Sequence, residues 1–267
     1  MQKIALSSSQ HALFLDFDGT LADIAPQPDA VQVHTSLVTT LRSVYHLFGG
    51  AVAIVSGRAV ADIDAYLFPL VLPVAGEHGV QWRDPQGDFF QLDDTHIAGV
   101  LKPIVRAAQV LVQHNDTLLL ERKTAGFALH YRMAPSLYAL CWNTLAPMVQ
   151  RTNMLALMRG KYVMEVVPSV VDKGTAISTF MQLPPFLGRK PIFFGDDVTD
   201  EAGFSAVQSA GGCGVKVGAG PSVALHRCPN PAALRTWLEH AVAEPQARPC
   251  RSASSIGSGA SPMARAA

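Results

Sequence analysis

Leu13-Phe14-Leu15-Asp16-Phe17-Asp18-Gly19-Thr20 is the stretch on which the fold turns. Residues 12–15 are apolar without interruption and end abruptly at an acid. A run this short, lacking the alternation of a half-buried strand, reads as a strand covered on both faces, as in a parallel sheet. The pattern recurs: residues 51–55 stop at Ser56, and residues 192–194 stop at Gly195-Asp196-Asp197. Helix-like stretches at 36–46, 60–67 and 173–181 separate such runs, so the chain predicts βαβ units and a doubly wound α/β parallel sheet. Ligands bind beyond the carboxyl ends of the strands in such sheets, and all three polar terminations fall there.

The middle of the chain has a different rhythm. Residues 97–114 are helix-like, 117–122 and 126–131 alternate like hairpin strands, 137–151 are helix-like again, and 162–167 are strand-like. This predicts a β-rich, helix-backed unit at 97–168 inserted between two core segments, 1–96 and 169–242. From 243 to 267 the chain turns to Ser, Ala, Gly, Pro and Arg and reads as a disordered tail. Composition agrees with a folded core: of 267 residues 49% are hydrophobic and only 16% charged. Lys+Arg and Asp+Glu both number 21, so the basic excess expected of a nucleic-acid or anionic-membrane binder is missing. Four scattered cysteines without a CxxC pair argue against zinc or a disulfide framework. Neither a signal-like N-terminus nor a membrane-length apolar run is visible, so a cytoplasmic protein acting on small molecules is expected.

Asp16 and Asp18 stand two apart after a strand, a spacing that sends both carboxylates to one side while the chain stays extended. Gly19 then lets the backbone turn. One carboxylate suits nucleophilic attack on phosphorus, and the other suits proton transfer to the leaving oxygen and from water. A bare DxD is more often a turn cap, and it also holds a metal on nucleotide-sugars in glycosyltransferases. Asp196, Asp197 and Asp200 crowd three acids into five residues, which repel unless a cation sits among them, and a hard ion such as Mg²⁺ suits them. An acidic helix N-terminus explains Asp200 but explains Asp196 poorly. The turn Ser56-Gly57-Arg58 offers a hydroxyl and a backbone N–H to a phosphate oxygen, and Lys173 offers neutralising charge. Each is weak alone. The glycine-rich 211–218 lacks Walker spacing and reads as a turn into an edge strand.

The order DxD-Gly-Thr, Ser-Gly-Arg, Lys-Gly, Gly-Asp-Asp resembles the haloacid-dehalogenase-like phosphatases. Glu77-His78-Gly79, Glu121-Arg122-Lys123, His130-Tyr131-Arg132, Glu165-Val166-Val167-Pro168 and Gly195-Asp196-Asp197-Val198-Thr199-Asp200-Glu201 resemble more narrowly the trehalose-6-phosphate phosphatases, from about residue 11 to 240. The resemblance implies a Rossmann-like core with an inserted α+β cap. It implies hydrolysis of trehalose 6-phosphate to trehalose and phosphate, the last step of trehalose synthesis, through an aspartyl-phosphate. By it Asp16 is the nucleophile and Asp18 the acid/base. Mg²⁺ is held by Asp16, the Asp18 carbonyl and Asp196, with Asp197 and Asp200 behind them or touching the metal. Ser56 and Lys173 grip the phosphate, with Gly19, Thr20, Gly57 and Arg58 lining its site. Glu121, Lys123, Arg132 and Glu165 read the sugar.

Without the resemblance Glu121, Lys123 and Arg132 read as a cross-strand charge cluster. His78 reads as a loop support and His130 as a structural group. Asp172, beside Lys173, is expected to weaken the positive potential there. No synthase-like segment precedes Asp16, so a stand-alone phosphatase is expected, as a monomer or small homo-oligomer. Alternatives are a phosphatase for sucrose phosphate or a glycosylglycerol phosphate, and a non-catalytic sugar-phosphate sensor.

Overall fold

The computed structural model describes residues 6–25, 30–93 and 95–243. The tail expected from 243 on lies outside the described residues apart from Ala243, which ends a helix.

The strand read from residues 12–15 is β1 (His11–Leu15), and it occupies the centre of an eight-stranded sheet. Parallel to it on one side run β10 (Lys190–Gly195), β11 (Cys213–Val217) and β12 (His226–Cys228); on the other run β2 (Val52–Val55) and β3 (Val74–Gly76). Beyond β3 two short strands, β4 (Gln81–Arg83) and β5 (Phe89–Gln91), pair antiparallel and end the sheet.

The uninterrupted apolar runs have a direct cause, since successive side chains leave opposite faces of the sheet and both faces are covered. Leu13 and Leu15, with Ile54, Ile192 and Phe194, pack under α1 (Thr35–Leu47), α2 (Val60–Leu67) and α7 (Pro231–Ala243). Ala12 and Phe14, with Ala53, Val55 and Phe193, pack under α5 (Lys173–Phe180) and α6 (Glu201–Ser209). Phe14 stacks on Phe186 at 5.3 Å between centroids. Fully burying a side chain of this kind contributes about 1.5–3 kcal/mol, so each face is a substantial core.

Residues 211–218 depart from expectation. Gly211 does turn the chain into β11, but β11 lies between β10 and β12 rather than at an edge. The covering strand β12 is three residues long, too short to show a periodicity in sequence.

Between β5 and α5 the chain builds a second sheet, ordered β6 (Leu119–Lys123), β7 (Gly126–His130), β9 (Val163–Pro168), β8 (Leu155–Gly160), all antiparallel. One face, with Phe127, Leu129, Met164 and Val166, is packed by α3 (Ala98–His114) and α4 (Tyr138–Val149). The opposite face follows from the register: Glu121 pairs with Ala128, and Ala128 pairs with Glu165. Two acids therefore flank a small residue in one row, with Lys123 two positions on from Glu121 on the same side. Strand β8 is not among the elements expected from the sequence, because a short apolar run such as its Leu-Ala-Leu-Met start does not by itself separate a strand from a helix segment.

Candidate active site

Strands β10, β1 and β2 are neighbours, so their carboxyl ends bring Gly195-Asp196, Asp16 and Ser56 to one rim of the sheet. Asp16 continues the ladder, its N–H donating to the Phe194 carbonyl at 2.9 Å, and it is only 4% exposed. Lys173 opens α5 beneath it and donates to Asp16 Oδ1 at 2.7 Å and Asp200 Oδ1 at 2.6 Å. Thr20 Oγ1 donates to Asp16 Oδ2 at 2.9 Å. Burial pushes the Asp16 carboxyl well above its ordinary range; Lys173 opposes this, and Asp200 and Asp196 add to it. Burial alone would lower Lys173, but Asp16 and Asp200 outweigh it and hold the ammonium above its usual value.

Carboxylate oxygens of Asp16, Asp196 and Asp200 lie within 4.8 Å of one another. Burial, followed by Asp200 and Asp197, pushes Asp196 up to about 7. Carboxylates crowded in this way, Asp16 and Asp200 buried and Asp196 half-buried, form a ready site for a hard cation with oxygen ligands. Gly19 makes the approach possible: its φ is +76°, and a Cβ there would sit 2.2 Å from the Asp196 carboxylate. Lys216, buried in β11, donates to the Asp196 carbonyl and fixes the turn from behind. Asp200 is engaged on both oxygens, with Lys173 on Oδ1 and the Asp197 N–H on Oδ2 at 2.8 Å. Asp197 points elsewhere, accepting from the N–H groups of Val198 and Lys161, each at 2.8 Å.

Asp18 is held by Arg58, whose Nε donates to Oδ2 at 2.6 Å and whose Nη2 donates to Oδ1 at 2.8 Å. The guanidinium lies over the ring of Tyr66 at 4.9 Å. Burial works against the Arg58 charge, but Asp18 holds it above its usual value. Ser56 is buried at the end of β2, its hydroxyl accepting the Arg58 N–H at 3.2 Å. The residues read as phosphate-site neighbours thus converge on one rim, with Arg58 turned to the second acid.

Asp172 is the N-cap of α5, accepting the Thr175 N–H at 2.6 Å in a capping box beside Lys173.

The small sheet brings its charged face to the same rim. Lys123 Nζ donates to Glu165 Oε2 at 2.8 Å and to the Gly57 carbonyl at 2.7 Å. Glu121 pairs with His130 at 2.8 Å. Arg132 donates to the carbonyls of Ala25 at 2.9 Å and Lys161 at 3.1 Å. Burial alone would raise Glu165, but Lys123 and His78 hold it far below the ordinary carboxylate range. Three contacts have no counterpart in the sequence motifs: Glu77 with the Thr124 N–H at 3.0 Å, Gln81 with Thr124 Oγ1 at 2.6 Å, and Lys161 with Asp196 at 3.8 Å. Nothing local marks them, since each partner is remote in the chain.

A trehalose-phosphatase family model matches residues 14–227. The trehalose-6-phosphate phosphatase of Escherichia coli K12 is 39% identical over 236 residues, covering 87% of this chain and 86% of that protein. In fold, the chain resembles the C-terminal domain of a C. albicans trehalose-6-phosphate phosphatase with a TM-score of 0.78 at 21% identity, covering 88% and 92%. It also resembles a haloacid-dehalogenase-like hydrolase from B. subtilis with a TM-score of 0.60 at 16% identity, covering 85% and 99%. With its core built around Asp16 and a family match spanning both sheets, the chain belongs to the trehalose-phosphatase family of enzymes.

Proposed function

We propose that the chain hydrolyses trehalose 6-phosphate to trehalose and phosphate through a phosphorylated Asp16, with Mg²⁺ as cofactor. The observation that carries the mechanism is the Asp16 carboxylate itself, buried at a strand end and paired with Lys173 at 2.7 Å. Asp16 attacks phosphorus and the bond from phosphorus to the sugar oxygen breaks. Asp18 gives that oxygen its proton. Water then attacks the aspartyl-phosphate, Asp18 takes up a proton, and phosphate leaves with Asp16 restored. Lys173 neutralises the phosphoryl oxygens, and Ser56 and the N–H groups around Gly57 bind them. When bound by Asp16, Asp196 and the Asp18 carbonyl, Mg²⁺ would neutralise charge on the phosphoryl group, a role the crowded carboxylates fit. Asp200 orients Lys173, and Asp197 joins the core to the turn at Lys161.

The small sheet is the cap, residues 97–168, over a core of 1–96 and 169–242. Glu121, Lys123, Arg132 and Glu165 supply acceptors and donors for sugar hydroxyls, and a substrate lacking the matching hydroxyls leaves them unpaired. The reading includes a cytoplasmic enzyme acting as a monomer or small homo-oligomer. No helix among the described residues is long and apolar enough to cross a membrane.

Phosphate release from a panel of sugar phosphates at fixed Mg²⁺ tests the substrate. Trehalose 6-phosphate should be turned over well ahead of glucose 6-phosphate and sucrose 6-phosphate; equal rates would overturn the assignment. Asp16→Asn should fold and be inert, and retained turnover would remove Asp16 as nucleophile.

A further inference from the structure

Residues 77 and 78 take an unusual backbone path. Glu77 has φ +47° and His78 has φ +61°, two consecutive non-glycine residues in the left-handed region. Such conformations persist only where surrounding contacts enforce them, and they cluster at functional sites. The enforcing contacts are visible. Glu77 N–H donates to the Arg58 carbonyl at 2.8 Å, and His78 N–H donates to the Ser56 carbonyl at 2.9 Å, which zips the turn to the phosphate-side loop. The Glu77 side chain accepts the Thr124 N–H at the tip of the β6–β7 hairpin.

The consequence is the position of the His78 ring. It is 2% exposed, and Nε2 lies 3.2 Å from Glu165 Oε2. Nδ1 is buried with no partner among the described residues. A carboxylate accepts only, so Nε2 is the donor in this contact. Gly57 makes room for the ring: a Cβ there would meet His78 Nε2 at 2.8 Å and lie 3.7 Å from Glu165 Oε1. The Ser-Gly-Arg glycine is therefore required by the approach of this pair.

We propose that His78 is a positioning residue for substrate discrimination, holding the Glu165 carboxylate, and through it the Lys123 ammonium, in place to receive sugar hydroxyls. The inference rests on the sugar-reading role given above to Glu165 and Lys123. The terminal torsion of a glutamate is broad, so a carboxylate left to itself swings. Here both donors on Glu165, His78 and Lys123, converge on Oε2, which fixes the carboxylate plane and leaves Oε1 as the oxygen that can accept from a hydroxyl. Lys123 spends two of its three N–H groups, on Glu165 and Gly57, and keeps the third for the ligand. A group held ready loses less conformational freedom when the substrate arrives.

The test compares wild type with His78→Phe, which keeps a ring but no donor, with His78→Ala, and with His78→Gln, which restores a donor. Steady-state constants are measured for trehalose 6-phosphate and for p-nitrophenyl phosphate, which has no sugar to read. The Phe and Ala variants should raise KM for the sugar phosphate about tenfold, as expected for loss of a hydrogen bond to a charged group. Turnover of the aryl ester should fall far less, and Gln should recover most of the loss. In a Glu165→Ala background, changing His78 should add almost nothing, because it acts through Glu165. An equal loss on both substrates, or losses that multiply in the double variant, would show a merely structural residue and overturn the proposal. If either Phe or Ala fails to fold, the other carries the comparison. A wild type with no preference for the sugar phosphate would remove the substrate reading first; a clear preference untouched in the variants would remove only the role of His78.

Discussion

Arg58 grips the Asp18 carboxylate with two nitrogens, at 2.6 and 2.8 Å, across forty positions of sequence. The fork fixes the plane of the carboxylate, and the aromatic ring of Tyr66 beneath the guanidinium fixes the fork. Lysine carries the same charge but presents a point donor that neither forks nor stacks in this way. Arg58→Lys should therefore lower kcat on trehalose 6-phosphate about ten- to a hundredfold with little change in KM. Initial-rate kinetics check this. A raised KM with kcat preserved would instead make Arg58 a phosphate ligand.

Lys173 is a buried cation between two buried acids, with nitrogen–oxygen distances of 2.6 and 2.7 Å. Removing one partner of such a cluster leaves uncompensated charge in the interior. Lys173→Met should cost about 3–5 kcal/mol of folding stability. Adding Asp200→Asn should restore part of it. Urea denaturation in the absence of metal measures both, and a single variant as stable as wild type would contradict the electrostatic account.

Metal binding should trade stability against activity at Asp196. Without metal, this carboxyl is pushed up to about 7 by burial and by Asp200 and Asp197. Asp196→Asn relieves that repulsion, so the chelated variant should be more stable than chelated wild type by on the order of 1 kcal/mol. The same variant should lose the rise in melting temperature that Mg²⁺ gives wild type, and nearly all turnover. Thermal melts with and without Mg²⁺ decide it: an undiminished Mg²⁺ shift in the variant would exclude Asp196 as a ligand.

Glu165 ties acid stability to the contact between the two sheets. Its folded carboxyl lies well below the ordinary range, against the push of burial, because Lys123 and His78 favour the charged form. A depressed acid stabilises the fold above its unfolded value, and that contribution is lost as pH falls toward the folded one. Glu165→Gln should be the less stable protein at neutral pH and should approach wild type in acid. Denaturant midpoints taken from about pH 7 down to about pH 3 should show the flatter slope in the variant. Parallel slopes would count against the assignment.

Much of the core is legible in the amino-acid sequence. Residues 12–15, 51–55 and 192–194 are apolar without alternation because helices cover both faces of the strands they form, so local composition carries the information. The acids that follow them fall at strand ends by chain continuity alone, which is why Asp16 and Asp196 stand out together. Three-residue strands such as β3, β4 and β5 span less than two periods and leave no such trace. The position of Lys123 on the Gly57 carbonyl, of Arg58 on Asp18 and of His78 on Glu165 leaves no trace either.

The amino-acid sequence by itself determined a covered parallel sheet with a carboxylate pair at the end of its central strand, because strand burial and turn chemistry act between near neighbours. Only the tertiary structure decided which distant side chain each acid meets. Those pairings depend on strand order, on register across the second sheet, and on two glycines, Gly19 and Gly57, whose missing Cβ lets remote groups approach.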